Sequence, residues 1–183
     1  MATHDPSSTE TIYLAGGCFW CTDAVFSRVR GVLGVTSGYA NGELANPSYE
    51  QVCSGTTGHA ECIELRFDPS VLPLEQVLQI FFATHDPTTL NRQGNDVGTQ
   101  YRSAIFCTHA QQLAAVRAFV QQLQASGQFG APLVTEVEPL ARFWTAEAYH
   151  QEYFDHNPRQ PYCQYVVAPK VDKLETRFSS WLK

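Results

Sequence analysis

The chain has 183 residues, 44% of them hydrophobic, which is enough for one domain with a substantial core. Its 12 lysines and arginines against 18 aspartates and glutamates give a formal net charge of −6 with no basic cluster, which argues against a nucleic-acid or anionic-membrane surface. No apolar run approaches the roughly 20 residues needed to span a bilayer, and Met1 to Glu10 lacks the basic-plus-apolar pattern of an export signal, so a cytoplasmic protein with 1–10 as a flexible lead-in is expected.

In chain order, period and punctuation predict a strand over Thr11 to Ala15, a helix over Phe19 to Val29, and strands over Val32 to Tyr39 and Glu61 to Phe67. A helix follows over Leu74 to Thr84, where Leu74, Val77, Leu78, Phe81 and Phe82 keep helical spacing. Next come a strand over Tyr101 to Cys107, a long helix over Ala110 to Ser126, a strand over Leu133 to Val137 and a helix over Ala146 to Asp155. From His156 the chain is rich in proline and tyrosine. It is expected to run over the surface as a tail (156–183) ending in a short helix around Val171 to Leu182. The opening order β-α-β-β-α-β predicts a single α+β domain over 11–183: a ferredoxin-like two-layer sandwich with a mixed sheet, elaborated by extra helices and the C-terminal tail. Two long polar stretches, Asn41 to Gly58 and His85 to Gln100, carry aromatic and acidic residues and suit a site.

Chemistry concentrates at Gly16-Gly17-Cys18-Phe19-Trp20-Cys21, where a strand hands over to a helix. Unpaired backbone N–H groups and the positive end of the helix dipole favour thiolate there, which makes Cys18 a candidate nucleophile; the plainer alternative is a small buried hydrophobe. A thiolate attacking an electron-poor atom that bears an oxygen needs a proton donor for that oxygen. Glu61, at the start of a strand and followed by Cys62 and Ile63, is a candidate acid in a partly apolar setting, the alternative being a solvated strand-edge carboxylate. Tyr49, Tyr101, Tyr153 and Tyr162 are phenolic donors or, equally, half-buried packing residues.

Six cysteines in a chain with no export signal suggest reduced thiols, a few of them redox-active, rather than a disulfide framework. Cys18 and Cys21 form a Cys-x-x-Cys pair, but no second pair completes a zinc site, so no metal is expected. Cys163 lies in the proline-rich tail, where a thiol can swing to another sulfur, while Cys53, Cys62 and Cys107 read as packing. His85, His150 and His156 read as satisfied or solvated histidines rather than ligands.

Gly17-Cys18-Phe19-Trp20, Gly38-Tyr39, Asn46-Pro47-Ser48-Tyr49-Glu50, Gly55-Thr56-Thr57-Gly58-His59-Ala60-Glu61, Asp86-Pro87 and Arg92-Gln93-Gly94-Asn95-Asp96-Val97-Gly98-Thr99-Gln100-Tyr101-Arg102-Ser103 together resemble the A-class peptide methionine sulfoxide reductases over about residues 11–165. The resemblance implies that Cys18 attacks the sulfoxide sulfur of the S epimer, free or in peptides and proteins. It implies that Phe19 and Trp20 hold the S-methyl group, with Tyr153 and Asp96 also on the substrate, and that Glu61, Tyr49 and Tyr101 serve the sulfoxide oxygen. Cys18 would become a sulfenic acid resolved by a second thiol, and thioredoxin would reduce the resulting disulfide. Cys163 matches the family's C-terminal resolving cysteine and is favoured because its tail can move; Cys21, often glycine in the family, is the second candidate. No cofactor is implied, because the electrons come from cysteine sulfur, and a monomer is expected. A bare thiol–disulfide exchange module built on Cys18 and Cys21, or a redox-inactive homologue that binds peptides, are the alternatives.

Overall fold

The structure, a computed structural model, describes residues 9–183. The lead-in expected over 1–10 lies outside the described residues as far as residue 8, and Glu10 already belongs to the first strand. In chain order the elements are β1 (Glu10–Gly16), α1 (Phe19–Phe26), β2 (Val32–Ala40), α2 (Tyr49–Cys53), β3 (Ala60–Phe67) and α3 (Leu74–Ala83). Then follow β4 (Arg92–Gln93), β5 (Asp96–Val97), β6 (Ser103–Cys107), α4 (Ala110–Ser126), β7 (Glu136–Pro139), β8 (Phe143–Thr145), α5 (Tyr153–His156) and α6 (Ala168–Arg177).

β1 pairs antiparallel with β3 on one side and with β6 on the other, so it lies inside the sheet. Both of its faces are buried: Ile12 and Leu14 join the large core under α1 and α3, while Tyr13 and Ala15 join a smaller cluster on the opposite face with Ala60, Cys62, Ala104 and Phe106. With β2 outside β3, the order β6-β1-β3-β2 puts the four strands of the β-α-β-β-α-β unit in the sequence fourth, first, third, second. This is the expected α+β sandwich. β7 adds parallel to β6 at one edge and β8 antiparallel to β2 at the other, giving a mixed sheet of six strands.

α1 buries every residue except Trp20, so it serves as a core helix rather than a surface one. α3 buries Val77, Leu78, Phe81 and Phe82 of the face its spacing predicts and also Ile80, while Leu74 is half-buried. α4 buries only Gln112 and Val116 and rides outside; the His109 ring caps its start by accepting the Gln112 N–H at 3.2 Å, and Gly127 ends it at φ 68°. No helix among the described residues is long and apolar enough to cross a membrane.

Two segments depart from expectation. The helix expected over 146–155 is a strap instead: a 3-10 turn (Ala148–His150), an extended Gln151, Glu152 at φ 51°, and then the single turn α5. Its polar side chains bond to the sheet and to α1, and those bonds replace helical ones. The C-terminal segment also differs, because 156–183 does not simply run over the surface. Cys163, Val167, Val171 and Leu174 form a buried stripe at helical spacing along a π-helical stretch (Cys163–Val167) that continues into α6. The stripe begins eight residues earlier than the helix expected there.

Candidate active site

β1 ends at Gly16, and Gly17 turns the chain at φ 91° into α1. A side chain at Gly17 would come within 2.7 Å of Gln93, so the close packing of the 85–100 loop also requires glycine. Cys18 is the N-cap of α1, with no side-chain capping bond and 8% exposure. The thiolate expected there is not what the surroundings favour. Burial pushes the thiol well above its usual range, with the nearby Glu61 and Cys21 acting the same way; a backbone N–H at Trp20 and the Tyr162 hydroxyl pull less strongly in the other direction. Desolvation of the charged form outweighs the helix terminus.

Glu61 reaches this point through strand register. Ile63, Leu65 and Phe67 face the large core, so Glu61, two residues before Ile63, faces the same way, beneath the start of α1. It is 1% exposed, and its Oε1 accepts the Phe19 N–H at 3.2 Å, while Oε2 is buried without a partner. Burial, with a smaller push from Asp96 and against the Phe19 bond, raises its carboxyl to about 8, so at neutral pH it carries a proton. The unpartnered Oε2 is then an O–H donor beside Cys18.

The remaining residues come from loops. Ser48 and Gln51 form a reciprocal capping box that starts α2 at Tyr49, whose hydroxyl lies near the Cys53 thiol and in the field of Glu61. Tyr101 ends a 3-10 turn (Thr99–Tyr101) in the field of both Glu61 and Cys18. Asp96, on the β4–β5 hairpin, accepts the Tyr162 O–H at 2.5 Å, and that hydroxyl is also within hydrogen-bonding reach of the Cys18 and Cys21 thiols. Phe19 is fully buried against Tyr39, and the half-buried Trp20 stacks flat on Tyr153 with ring centroids 3.7 Å apart. Tyr153 thus meets the site through its ring.

All the site residues expected from sequence therefore meet around Cys18, with Cys163 in the layer behind. Cys21 lies one turn along, its N–H donating to the Cys18 carbonyl at 3.0 Å. Cys163 is fully buried in the core and close enough to Cys21 for the two to repel when charged. The six thiols are free.

Several supporting residues escape sequence reasoning. Glu147 accepts the Tyr39 hydroxyl at 2.9 Å and the Tyr49 N–H at 3.1 Å. Gln151 accepts the Ser37 N–H at 2.8 Å and returns a bond to the Ser37 carbonyl at 3.0 Å, and Asp23 on α1 accepts the Glu152 N–H at 2.9 Å. These bonds tie the 146–153 strap to β2, to the start of α2 and, through Asp23, to α1. Three consecutive polar residues, His150-Gln151-Glu152, interrupting an otherwise aromatic helix pattern were the available signal.

The family model for peptide methionine sulfoxide reductase matches residues 10–182. The peptide methionine sulfoxide reductase MsrA of Ralstonia nicotianae is 53% identical over 178 residues, covering 95% of this chain and 93% of that protein. Among solved structures, reduced Mxr1 from Saccharomyces cerevisiae superposes with a TM-score of 0.79 at 37% identity, over 88% of this chain and 92% of that one. Mxr1 in complex with Trx2 gives 0.56 at 26% identity, over 84% and 90%. A match over nearly the whole chain, on the fold and around the thiol just described, identifies this protein as a member of the peptide methionine sulfoxide reductase family.

Proposed function

We propose that this chain reduces methionine S-sulfoxide, free or in peptides and proteins, with Cys18 as nucleophile and Glu61 as acid. The observation that carries the reading is the buried, protonated, unpartnered Oε2 of Glu61 beside a thiol at a helix N-terminus. A neutral thiol and a neutral acid keep charge out of the pocket until the sulfoxide oxygen takes the proton of Glu61. That proton makes the sulfoxide sulfur electron-poor, and the charge of the transition state then meets donors already in place.

Tyr49 and Tyr101 serve the same oxygen, Phe19 and Trp20 with Tyr153 behind it receive the methyl group, and Asp96 holds the substrate's main chain. Oxygen, methyl and main chain thus have three different destinations, so one sulfoxide epimer fits and the other does not. The oxygen passes from methionine to Cys18, giving methionine and a sulfenic acid. A second thiol displaces water from that acid to give a disulfide, and two electrons from thioredoxin restore the thiols. The Trx2 complex of yeast Mxr1 supports thioredoxin as reductant. We place the cycle in the cytoplasm, where thioredoxin keeps thiols reduced.

Cys21 is the thiol we assign to resolution. The preference for Cys163 on sequence grounds rested on a mobile tail, and Cys163 is held in a buried helical stripe. Cys21 stands one helical turn from Cys18, within the roughly 7 Å between Cα atoms that a disulfide requires. The Lys170 ammonium favours its thiolate against the effect of burial.

With NADPH, thioredoxin reductase and thioredoxin, the S epimer of a methionine sulfoxide peptide is expected to be converted to methionine and the R epimer left untouched, read by mass spectrometry. Turnover of neither epimer, with disulfide reduction in insulin instead, would make the chain a thiol-exchange module and overturn this reading.

Glu61→Gln carries two further expectations. Wild-type turnover should fall as pH rises through about 8, where Glu61 loses its proton, and the variant should be slower by about 10²- to 10⁴-fold and lack that limb. Stability changes as well. The folded carboxyl titrates near 8 against 4.5 when exposed, so wild-type stability is complete below about 4.5 and is lost as pH rises towards 8. At pH 7 the loss is about 3 kcal/mol. Tm of the variant should be flatter with pH across that window, and equal slopes for the two proteins would show that the carboxyl is not held protonated.

A further inference from the structure

His150 is a buried polar side chain that the reaction above leaves unused and that touches the residues assigned to the substrate. It is fully buried, and its Nδ1 accepts the indole N–H of Trp20 at 3.0 Å. That bond fixes the tautomer: Nδ1 is bare and the ring proton sits on Nε2. Nε2 itself is buried without a partner. An unsatisfied buried donor is costly, and a position needed only for packing is better filled by an apolar side chain. The same ring lies 5.1 Å from Phe19 and 4.4 Å from Tyr49, centroid to centroid, so three residues assigned to the substrate converge on one imidazole.

Trp20 has few other restraints on its direction. Tyr153 stacks at 3.7 Å and 6°, and Tyr162 meets it edge-on at 5.7 Å. A flat stack holds the plane of a ring but lets it turn within that plane; a hydrogen bond from the indole N–H does not. The acceptor is itself immobile, because the neighbouring Glu147, Gln151 and Glu152 are bonded to Tyr39, Ser37 and Asp23.

We propose that His150 is a positioning residue: its Nδ1 holds the Trp20 indole at the angle against which the substrate's methyl group packs, and so sets the affinity for sulfoxide. Burial keeps the imidazole below its usual range, against the pull of the Glu147 and Glu50 carboxylates, so the acceptor form prevails at neutral pH. The proposal rests on the assignment of Trp20 to the methyl pocket.

The test is a set of steady-state measurements on the S-sulfoxide peptide. His150→Leu should raise KM about tenfold, equivalent to about 1.4 kcal/mol, with kcat little changed. His150→Asn, whose Oδ1 lies where Nδ1 does, should bring KM back. His150→Gln, polar and of similar size but with its acceptor one bond further out, should behave like the leucine variant and serves if that variant does not fold. Trp20→Phe has no indole N–H, so its higher KM should not rise further when His150→Leu is added. Equal KM values for the Asn and Gln variants, or the same KM factor from His150→Leu with and without the indole, would overturn the proposal alone. An unchanged KM in Trp20→Phe would overturn the pocket assignment together with it.

Discussion

Cys18→Ser should abolish sulfoxide reduction, by at least about 10⁴-fold, the scale seen when an enzyme loses its nucleophile. The expectation is severe because no other thiol has the same setting. Cys53 lies near Tyr49 and Glu61 and is exposed, but it is the last residue of α2 and has no helix N-terminus beside it; burial, with Glu50 and Glu147 acting the same way and the Tyr49 hydroxyl against them, raises its pKa. Cys21 and Cys163 are buried behind Cys18. Methionine release by the purified variant, measured with dithiothreitol as reductant, checks the point. Residual turnover removed by Cys53→Ser would move the chemistry to the other side of the pocket.

Cys21→Ser should stop thioredoxin-driven turnover while leaving the first reduction intact: one methionine per chain, then arrest. Cys163→Ser should keep cycling. Cys18 is the more exposed residue of the proposed disulfide, and Lys170 favours the thiolate of Cys21, so we assign the attack of thioredoxin to Cys18 with Cys21 as the leaving thiolate. Cycling that survives in Cys21→Ser and fails in Cys163→Ser would reverse the assignment. It would also require the buried stripe of Cys163, Val167, Val171 and Leu174 to come apart in each turnover.

What the sequence made legible follows from how locally each feature is specified. α4 spans Ala110–Ser126 as expected, because Leu113, Val116, Phe119, Val120 and Leu123 keep helical spacing within the segment itself; the cap at His109 shows only in the structure. The four strands of the β-α-β-β-α-β unit were readable as short apolar and β-branched runs bounded by turn residues, although β1 and β6, buried on both faces, carry no alternation. Glu61 was readable in part from its partly apolar neighbours Cys62 and Ile63, whereas periodicity alone favours a solvated strand-edge carboxylate. The 146–153 strap was not. Its helical pattern is genuine, but Glu147, His150 and Gln151 bond to residues about a hundred positions away, and such partners leave no mark on local periodicity. The ionisation of Cys18 escaped for a related reason: a helix terminus is visible in sequence, whereas the amount of protein covering it is not.

The most direct test of the central claim uses reduced Cys21→Ser protein, one equivalent of S-sulfoxide peptide and no reductant, with dimedone present to capture sulfenic acid and peptide mapping by mass spectrometry. One methionine per chain and a dimedone adduct on Cys18 alone are predicted. Methionine released with Cys18 unmodified, or with the adduct on Cys53 or Cys163, would contradict the account.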